Sequence, residues 1–341
     1  MTLTKFNENK IIKNITRLFN FKSNLKFTDD LLLLKGIGDD SAYWKDANYA
    51  YCTSTDSLVE NVHFKLDYFS ALDIGKKSIA VNLSDIAAMG ATPLGMLINL
   101  GITKKQDERW IDDFYKGVYE LSGSYNSPLI GGDLVYSPHL FISVTCFGYR
   151  KLDQNSNTEI FLDRSKSNED DILYVTGFLG DSRAGLDILN SDIYHSPYKT
   201  HEQKLIQSHI YKKPRLEVGL KLIENGITNC IDISDGLLID SERLAIESEI
   251  SININQKSLP ISENLKLAFP DNYLNYALIG GEDYELLFSA PKSMNSSLLD
   301  IFEDLNIKLS QIGEIRKGQS EIFLDNELTD VKGWDHFENQ L

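Results

Sequence analysis

Six times along this chain a short apolar run gives way to small residues and then to a carboxylate. The stretches are GIGDDSA (Asp39, Asp40), STDS (Asp56), NLSD (Asp85), IGGDL (Asp133), DISDGL (Asp232, Asp235) and GGEDYE (Glu282, Asp283). Each one alone is ordinary turn chemistry, since Asp favours turns and helix N-caps and glycine supplies positive φ. Asp235, for example, is placed to cap a helix beginning near Gly236. Together they constrain the chain more tightly. Carboxylates at the ends of several strands converge on one edge of an α/β domain, where ligand sites are built. Grouped carboxylates raise each other's pKa and need a cation to stay ionised together. Hard oxygen ligands with Ser and Thr alongside suit Mg²⁺, which commonly joins protein carboxylates to nucleotide phosphates.

The segments between the acidic turns read as an α/β (α+β) chain. Helical spacing of apolar residues appears over 5–20, 70–90, DERWIDDFYKGVYELSGSY and PRLEVGLKLIENG. PLGMLINLGI reads as a strand, YAYCTSTDSLVENVHF as a β-rich run ending in a polar turn, and SPLIGGDLVYSPHLFISVTCFGYR as strand, glycine turn and long strand. DILYVTGFLGDSRAGLDIL and NCIDISDGLLIDSERLAIES each read as strand, turn and helix. The glycine turn of TGFLGDSRAG, set before a helix, is a candidate phosphate cradle. NYALIGGEDYELLFSAP reads as a turn into a strand, and IYHSPYKTHEQ as a surface loop. A length of 341 residues favours two domains. The polar stretch KLDQNSNTEIFLDRSKSNEDD is the best linker, which puts the boundary near Arg150, with domains over 1–150 and 151–341.

Charge and motifs narrow the function. A formal charge of −16 argues against a nucleic-acid partner, whose phosphates need a basic face. Cys52, Cys146 and Cys230 lie in apolar, strand-like runs with no C-x-x-C pair, so buried reduced thiols are expected. That fits a cytoplasmic location, as does an N-terminal stretch without an apolar signal region. No run is long and apolar enough for a membrane span. The P-loop pattern, the protein-kinase H-R-D and D-F-G set, H-E-x-x-H and G-x-S-x-G are all absent.

Taken in order, GIGDDSA, STDSLVENVHF, KSIAVNLSDIAAMGATP, LIGGDL, VTGFLGDSRAGL, IDISDGL and IGGEDYELLF resemble the thiamine-monophosphate kinase family, from about Gly36 to GWDHF at 333–337. The resemblance implies ATP-dependent phosphorylation of thiamine monophosphate to thiamine diphosphate, with several Mg²⁺ ions. It implies the fold shared with aminoimidazole-ribonucleotide synthetase and selenophosphate synthetase. There the N-terminal sheets of two subunits pair into a barrel, giving a homodimer, and a C-terminal α/β domain closes the cleft.

By motif position the resemblance places metal ligands at Asp40, Ser54, Thr55, Asp56, Asp85, Asp133, Asp232 and Asp235, with Asp85, Asp56 and Asp133 at the centre of the reaction. It places ATP contacts at Tyr115, Gly132, Asp133, Arg164 and Ser234, and substrate contacts at His63, Glu282 and Trp334. Asn82 and Ser84 would position the turn that holds Asp85, while Asp283 would pin its own turn. Two departures are visible: the family's Gly-Tyr-Asp-His-Phe is GWDHF here, so Trp334 keeps a stacking face and changes the polar tip, and STD continues as SLVENVHF, which holds the spacing to His63 but varies its neighbours. Rival members of the fold fit less well, since no cysteine precedes Cys52 and the chain ends HFENQL.

Overall fold

The computed structural model describes residues 12, 14–16, 25–28, 31–152, 160–191, 193 and 196–334. Of the helix expected over 5–20, residues 12 and 14–16 are described and helical; the rest lies outside the described residues, as do 335–337 of the GWDHF motif.

The first half builds one seven-stranded sheet. Its strands are β1 (Leu25–Lys26), β2 (Leu32–Lys35), β3 (Ala42–Lys45), β4 (Tyr49–Val59), β5 (Thr92–Ile102), β6 (Leu129–Tyr136) and β7 (Phe141–Lys151), in the order β1-β2-β3-β4-β7-β5-β6. All neighbours are antiparallel except β5 and β6. Gly131 and Gly132, expected to form a turn, lie inside β6, and the chain reverses instead between β6 and β7. Strand alternation sorts β4 into two faces. Cys52 and Leu58 are buried on the face that carries Ser54 and Asp56, while Thr53, Thr55 and Ser57 point the other way.

Helix α1 (Ala71–Ala88) crosses that inner face. Ser70 starts it with a capping box: its hydroxyl accepts from Asp73 N, and the Asp73 carboxylate accepts from Ser70 N. α1 is buried nearly all round, and Lys77, Ser78, Asn82 and Ser84 are among its buried residues. Small residues let its neighbours close in. A Cβ on Gly117 of α2 (Glu108–Ser124) would lie 2.0 Å from Leu72 O, and one on Gly219 of the later helix Leu216–Glu224 would lie 1.9 Å from Ala87 O.

The second half adds β8 (Ile172–Thr176), α3 (Asp181–Asn190), α4 (Thr200–Ile210), α5 (Leu216–Glu224), β9 (Ile231–Asp232), α6 (Leu237–Ser248) and β10 (Ser251–Ile254). After these come α7 (Glu263–Ala268), α8 (Tyr273–Ile279), β11 (Leu286–Ala290), α9 (Asn295–Asp304), β12 (Leu309–Arg316), β13 (Ile322–Leu324) and β14 (Glu327–Leu328). Its sheet runs β14-β13-β10-β12-β8-β11-β9, so β9 is an edge strand and brings Asp232 against α1. Helix α8 precedes the GGED turn, where only a turn into a strand was expected; α4 begins at Thr200, inside the stretch expected to be a surface loop.

The segment expected to be a polar linker is anchored in its later part. Phe161 and Leu162 are buried, Leu162 N donates to Met89 O at 3.1 Å, and Asp163 N donates to Thr228 O at 3.0 Å. One apolar core accordingly runs from α1 through Phe161 and Leu162 to α5, Tyr174 and Phe288. The three cysteines are free and buried, as expected. Among the described residues no helix is long and apolar enough to cross a membrane.

Candidate active site

Carboxylate oxygens of Asp40, Asp85 and Asp232 lie within 4.8 Å of one another. They come from three separate places: the loop before β3, the last turn of α1, and β9. α1 organises the group. Asn82 donates to Ser78 O at 2.9 Å, and its Oδ1 accepts from the main-chain N of Asp56 at 3.1 Å. Ser84 Oγ donates to Asp232 Oδ2 at 2.6 Å, and Ser54 Oγ donates to Asp85 Oδ2. The polar groups of NLSD therefore each have a partner, as buried polar groups require. Asp85 is not a helix cap, because that place is held by Ser70 at the other end of α1. It sits instead in the last turn of α1, at the negative end of the helix dipole, which makes a carboxylate there costly without a cation.

The electrostatics agree. Burial, then the charges of Asp56, Asp232 and Asp40, pushes the Asp85 carboxyl well above the usual range. Burial and Asp40 do the same to Asp232. Among the described residues one cation grips the group: Arg164 holds Asp40 through both Nε, at 3.2 Å, and Nη2. Burial opposes its charge, but Asp40, with Asp39 and Asp232 behind it, keeps the guanidinium pKa above its ordinary value. Arg164, expected at the ATP phosphates, is thus committed to Asp40. Its turn is pinned by Asp163, which accepts from Lys35 Nζ (2.6 Å), Tyr43 Oη (3.0 Å) and Ser165 N (2.8 Å).

The remaining expected residues are distributed unevenly. Asp56 stands beside the group, exposed, with its main chain on Asn82. Thr55 does not join through its side chain, because alternation along β4 turns it to the outer face, where its hydroxyl donates to Val144 O at 2.9 Å. Gly132 and Asp133 lie exposed on edge strand β6, outside the three-carboxylate group. Asp235 pairs with Arg243 at 2.7 Å, and α6 has no side-chain cap; the Asp240 carboxylate instead accepts from the main-chain N of Ser234, Asp235 and Gly236 at 3.0–3.1 Å and pins the turn before the helix. Ser234 O accepts from Glu282 N at 2.7 Å, and Trp334 N donates to Asp235 O at 2.9 Å, so DISDGL, GGEDYE and the GWDHF segment meet. Tyr115 lines a cavity of about 600 Å³ with Val118, Ser122, Pro128 and Leu129, beside the start of β6.

His63 Nδ1 accepts from Val59 N at 3.0 Å, which ties its ring to its own turn. Glu282 lies in a basic nest, 2.6 Å from Lys77 Nζ and 3.3 Å from His209 Nδ1, with Lys212 Nζ donating to its main-chain O at 2.6 Å. Burial opposes its charge, yet Lys77, Lys212 and His209 hold its pKa at about 2. Asp283 pins its turn as expected: it accepts from Gly180 N at 2.7 Å. It thereby fills the glycine turn before α3 that the sequence offered as a phosphate cradle. Lys77, His209, Lys212 and Asp240 were not among the expected residues. The one local signal was Lys77 itself, a lysine inside an apolar helical stretch.

The donor set fits Mg²⁺. Three carboxylates and two serine hydroxyls supply hard oxygens, and the three acids outnumber the single guanidinium beside them.

Residues 38–149 match the N-terminal domain, and residues 168–326 the C-terminal domain, described as AIR synthase related protein. The thiamine-monophosphate kinase of Aquifex aeolicus (strain VF5) is 35% identical over 306 residues, covering 89% of this chain and 93% of the relative. That of Buchnera aphidicola subsp. Acyrthosiphon pisum is 38% identical, covering 93% of this chain and 96% of the relative. The solved structure of AaThiL complexed with AMPPCP and TMP superposes with a TM-score of 0.85 at 32% identity, covering 99% of both chains. On the fold, the gathered carboxylates and this likeness over nearly its whole length, the chain belongs to the thiamine-monophosphate kinase family.

Proposed function

We propose that this protein transfers the γ-phosphoryl group of ATP to thiamine monophosphate, forming thiamine diphosphate. The observation that carries the reading is the meeting of Asp40, Asp85 and Asp232, from three separate segments, within 4.8 Å. The likeness to AaThiL complexed with AMPPCP and TMP supports it.

The acceptor is a phosphate monoester with a second pKa near about 6, so it is largely dianionic at neutral pH and needs no strong base. The difficulty is to bring two polyanions into line. Two unit charges 4 Å apart repel by about 4 kcal/mol at an effective dielectric of about 20. Asp40, Asp85 and Asp232, with Asp56 beside them and Ser54 alongside, would hold Mg²⁺, which when bound offsets that repulsion and stabilises charge on the phosphoryl oxygens. Asp133, Asp235 and the main chain at Thr55 complete the proposed ligand shell. Arg164 holds Asp40 in place through two N–H groups, and presents its guanidinium toward the phosphates from that position. Gly132 lets the backbone approach a nucleotide, Ser234 contacts ATP, and Tyr115 faces adenine from the cavity it lines. Glu282 and Trp334 meet the aminopyrimidine or the thiazolium, with Trp334 supplying a stacking face. His63 hydrogen-bonds the acceptor phosphate.

In this reading residues 1–150 carry nucleotide, metal and dimer contacts, and residues 151–341 close over them. A homodimer is supported by β6, an edge strand with all its residues exposed, among them Ile130, Leu134, Val135 and Tyr136. Such an edge is a ready template for strand pairing. A cytoplasmic setting is supported by the free, buried cysteines. The test is ADP release that requires both Mg²⁺ and thiamine monophosphate, with ATP alone as control. ADP release that ignores thiamine monophosphate refutes the assignment.

A further inference from the structure

We propose that Lys77 and His209 are positioning residues that clamp Glu282 in the geometry needed to receive the heterocyclic end of the acceptor. This rests on the reading of the chain as a thiamine-monophosphate kinase.

Lys77 is 1% exposed, and its helix position would ordinarily take an apolar side chain. A buried lysine is costly unless it is paired. Its ammonium donates to His63 O at 2.9 Å and lies 2.6 Å from Glu282 Oε1, with the Phe69 ring 5.2 Å away. One ammonium thus joins a candidate substrate residue from the first half of the chain to one from the second. His209, 2% exposed and held toward its neutral form by burial and by Lys77, lies beside the other oxygen of the same carboxylate, with Nδ1 3.3 Å from Glu282 Oε2. The main-chain O of Glu282 is held by Lys212, which also donates to Ser182 Oγ and to Ser208 O. Glu282 itself has φ 64°, a left-handed conformation that non-glycine residues adopt only when their surroundings impose it.

A well-packed apolar residue would serve stability as well as a buried ion pair does. What an apolar residue cannot do is orient a carboxylate. The clamp also has a fixed relation to the carboxylate group, because Lys77 and Asp85 share the rigid helix α1 and lie eight residues, roughly 12 Å, apart along its axis. The helix therefore sets the separation between the heterocycle end and the phosphate end of the acceptor.

The test uses the full-length protein and three variants: Lys77→Met, the charge-preserving Lys77→Arg, and His209→Ala, each checked for cooperative thermal unfolding. The KM for thiamine monophosphate is expected to rise about tenfold in Lys77→Met and a few-fold in His209→Ala, with the KM for ATP within about twofold of wild type and Lys77→Arg recovering part of the loss. Should Lys77→Met fail to fold, His209→Ala carries the same split. If the KM for thiamine monophosphate stays within about twofold in the folded variants, or both KM values shift together, the clamp is refuted. A wild type that releases no ADP in response to thiamine monophosphate refutes the functional reading and the clamp with it. A wild type that turns over beside unaffected variants refutes the clamp alone.

Discussion

Ser84 Oγ donates to Asp232 Oδ2 across 2.6 Å, joining the helix of the first half to the edge strand of the second at the point where the carboxylates gather. Both groups are buried, so the bond is made in a low-dielectric setting where losing it is costly. Ser84→Ala leaves Asp232 short of a donor. The expected cost is about 1–3 kcal/mol in urea unfolding, together with a higher Mg²⁺ requirement for turnover. Unchanged stability and unchanged Mg²⁺ dependence would show that the bond does not organise the site.

Asp85→Asn removes one of three converging charges and keeps the shape. The fold should persist, with metal-free stability equal to or above wild type, because like charges no longer meet in a buried place. Phosphoryl transfer should be lost. Normal turnover of the purified variant at limiting Mg²⁺ contradicts the assignment.

Arg164→Met withdraws the only guanidinium gripping Asp40 among the described residues. Breaking a buried pair from one side is expected to cost about 3–5 kcal/mol. Added Mg²⁺ should return part of that stability, since it replaces the missing cation. Thermal unfolding with and without Mg²⁺ measures both effects.

Glu282 gives an acid limb to the stability curve. Its folded pKa of about 2 lies below its ordinary value of 4.5, so the native state binds fewer protons than the unfolded chain between those values. Its contribution is present in full above about pH 4.5 and is lost as pH falls toward about 2; the shift corresponds to at most about 3 kcal/mol. Glu282→Gln should flatten this limb in a pH series of urea denaturations. An unchanged limb would place the acid sensitivity elsewhere.

Gly219→Ala tests the contact between α5 and α1. The added methyl would meet Ala87 O at 1.9 Å, so the helices must part. Overpacking of this kind costs about 1–3 kcal/mol, read as a lower Tm. A raised Tm would mean that the interface has slack.

How far the sequence carried the account depends on the range of each interaction. The acidic residues are legible because each follows an apolar run that closes on small residues; Asp40, Asp85 and Asp232 do converge, although Asp85 lies in α1 and Asp232 in β9 rather than in turns. Helix α1 is legible too, from its spacing and its Ser70–Asp73 box. Strand parity was in principle available: Thr55 sits between Ser54 and Asp56 on β4, so its side chain must face away from theirs. The partners were not legible. Arg164 meets Asp40 across 124 residues of chain, and nothing local marks that pairing. Asp240 pins the turn before α6 because its side chain folds back onto three main-chain N–H groups, a contact that no local pattern marks. Gly131 and Gly132 read as a turn by composition, yet an edge strand tolerates them.

The central claim is that Asp40, Asp85 and Asp232 hold divalent cations between donor and acceptor phosphates. The most direct measurement is anomalous diffraction from crystals of the protein grown with Mn²⁺, AMPPCP and thiamine monophosphate. The account predicts metal peaks within bonding distance of all three carboxylates and beside the phosphates. Phosphates bound with no metal peak touching any of the three would contradict it.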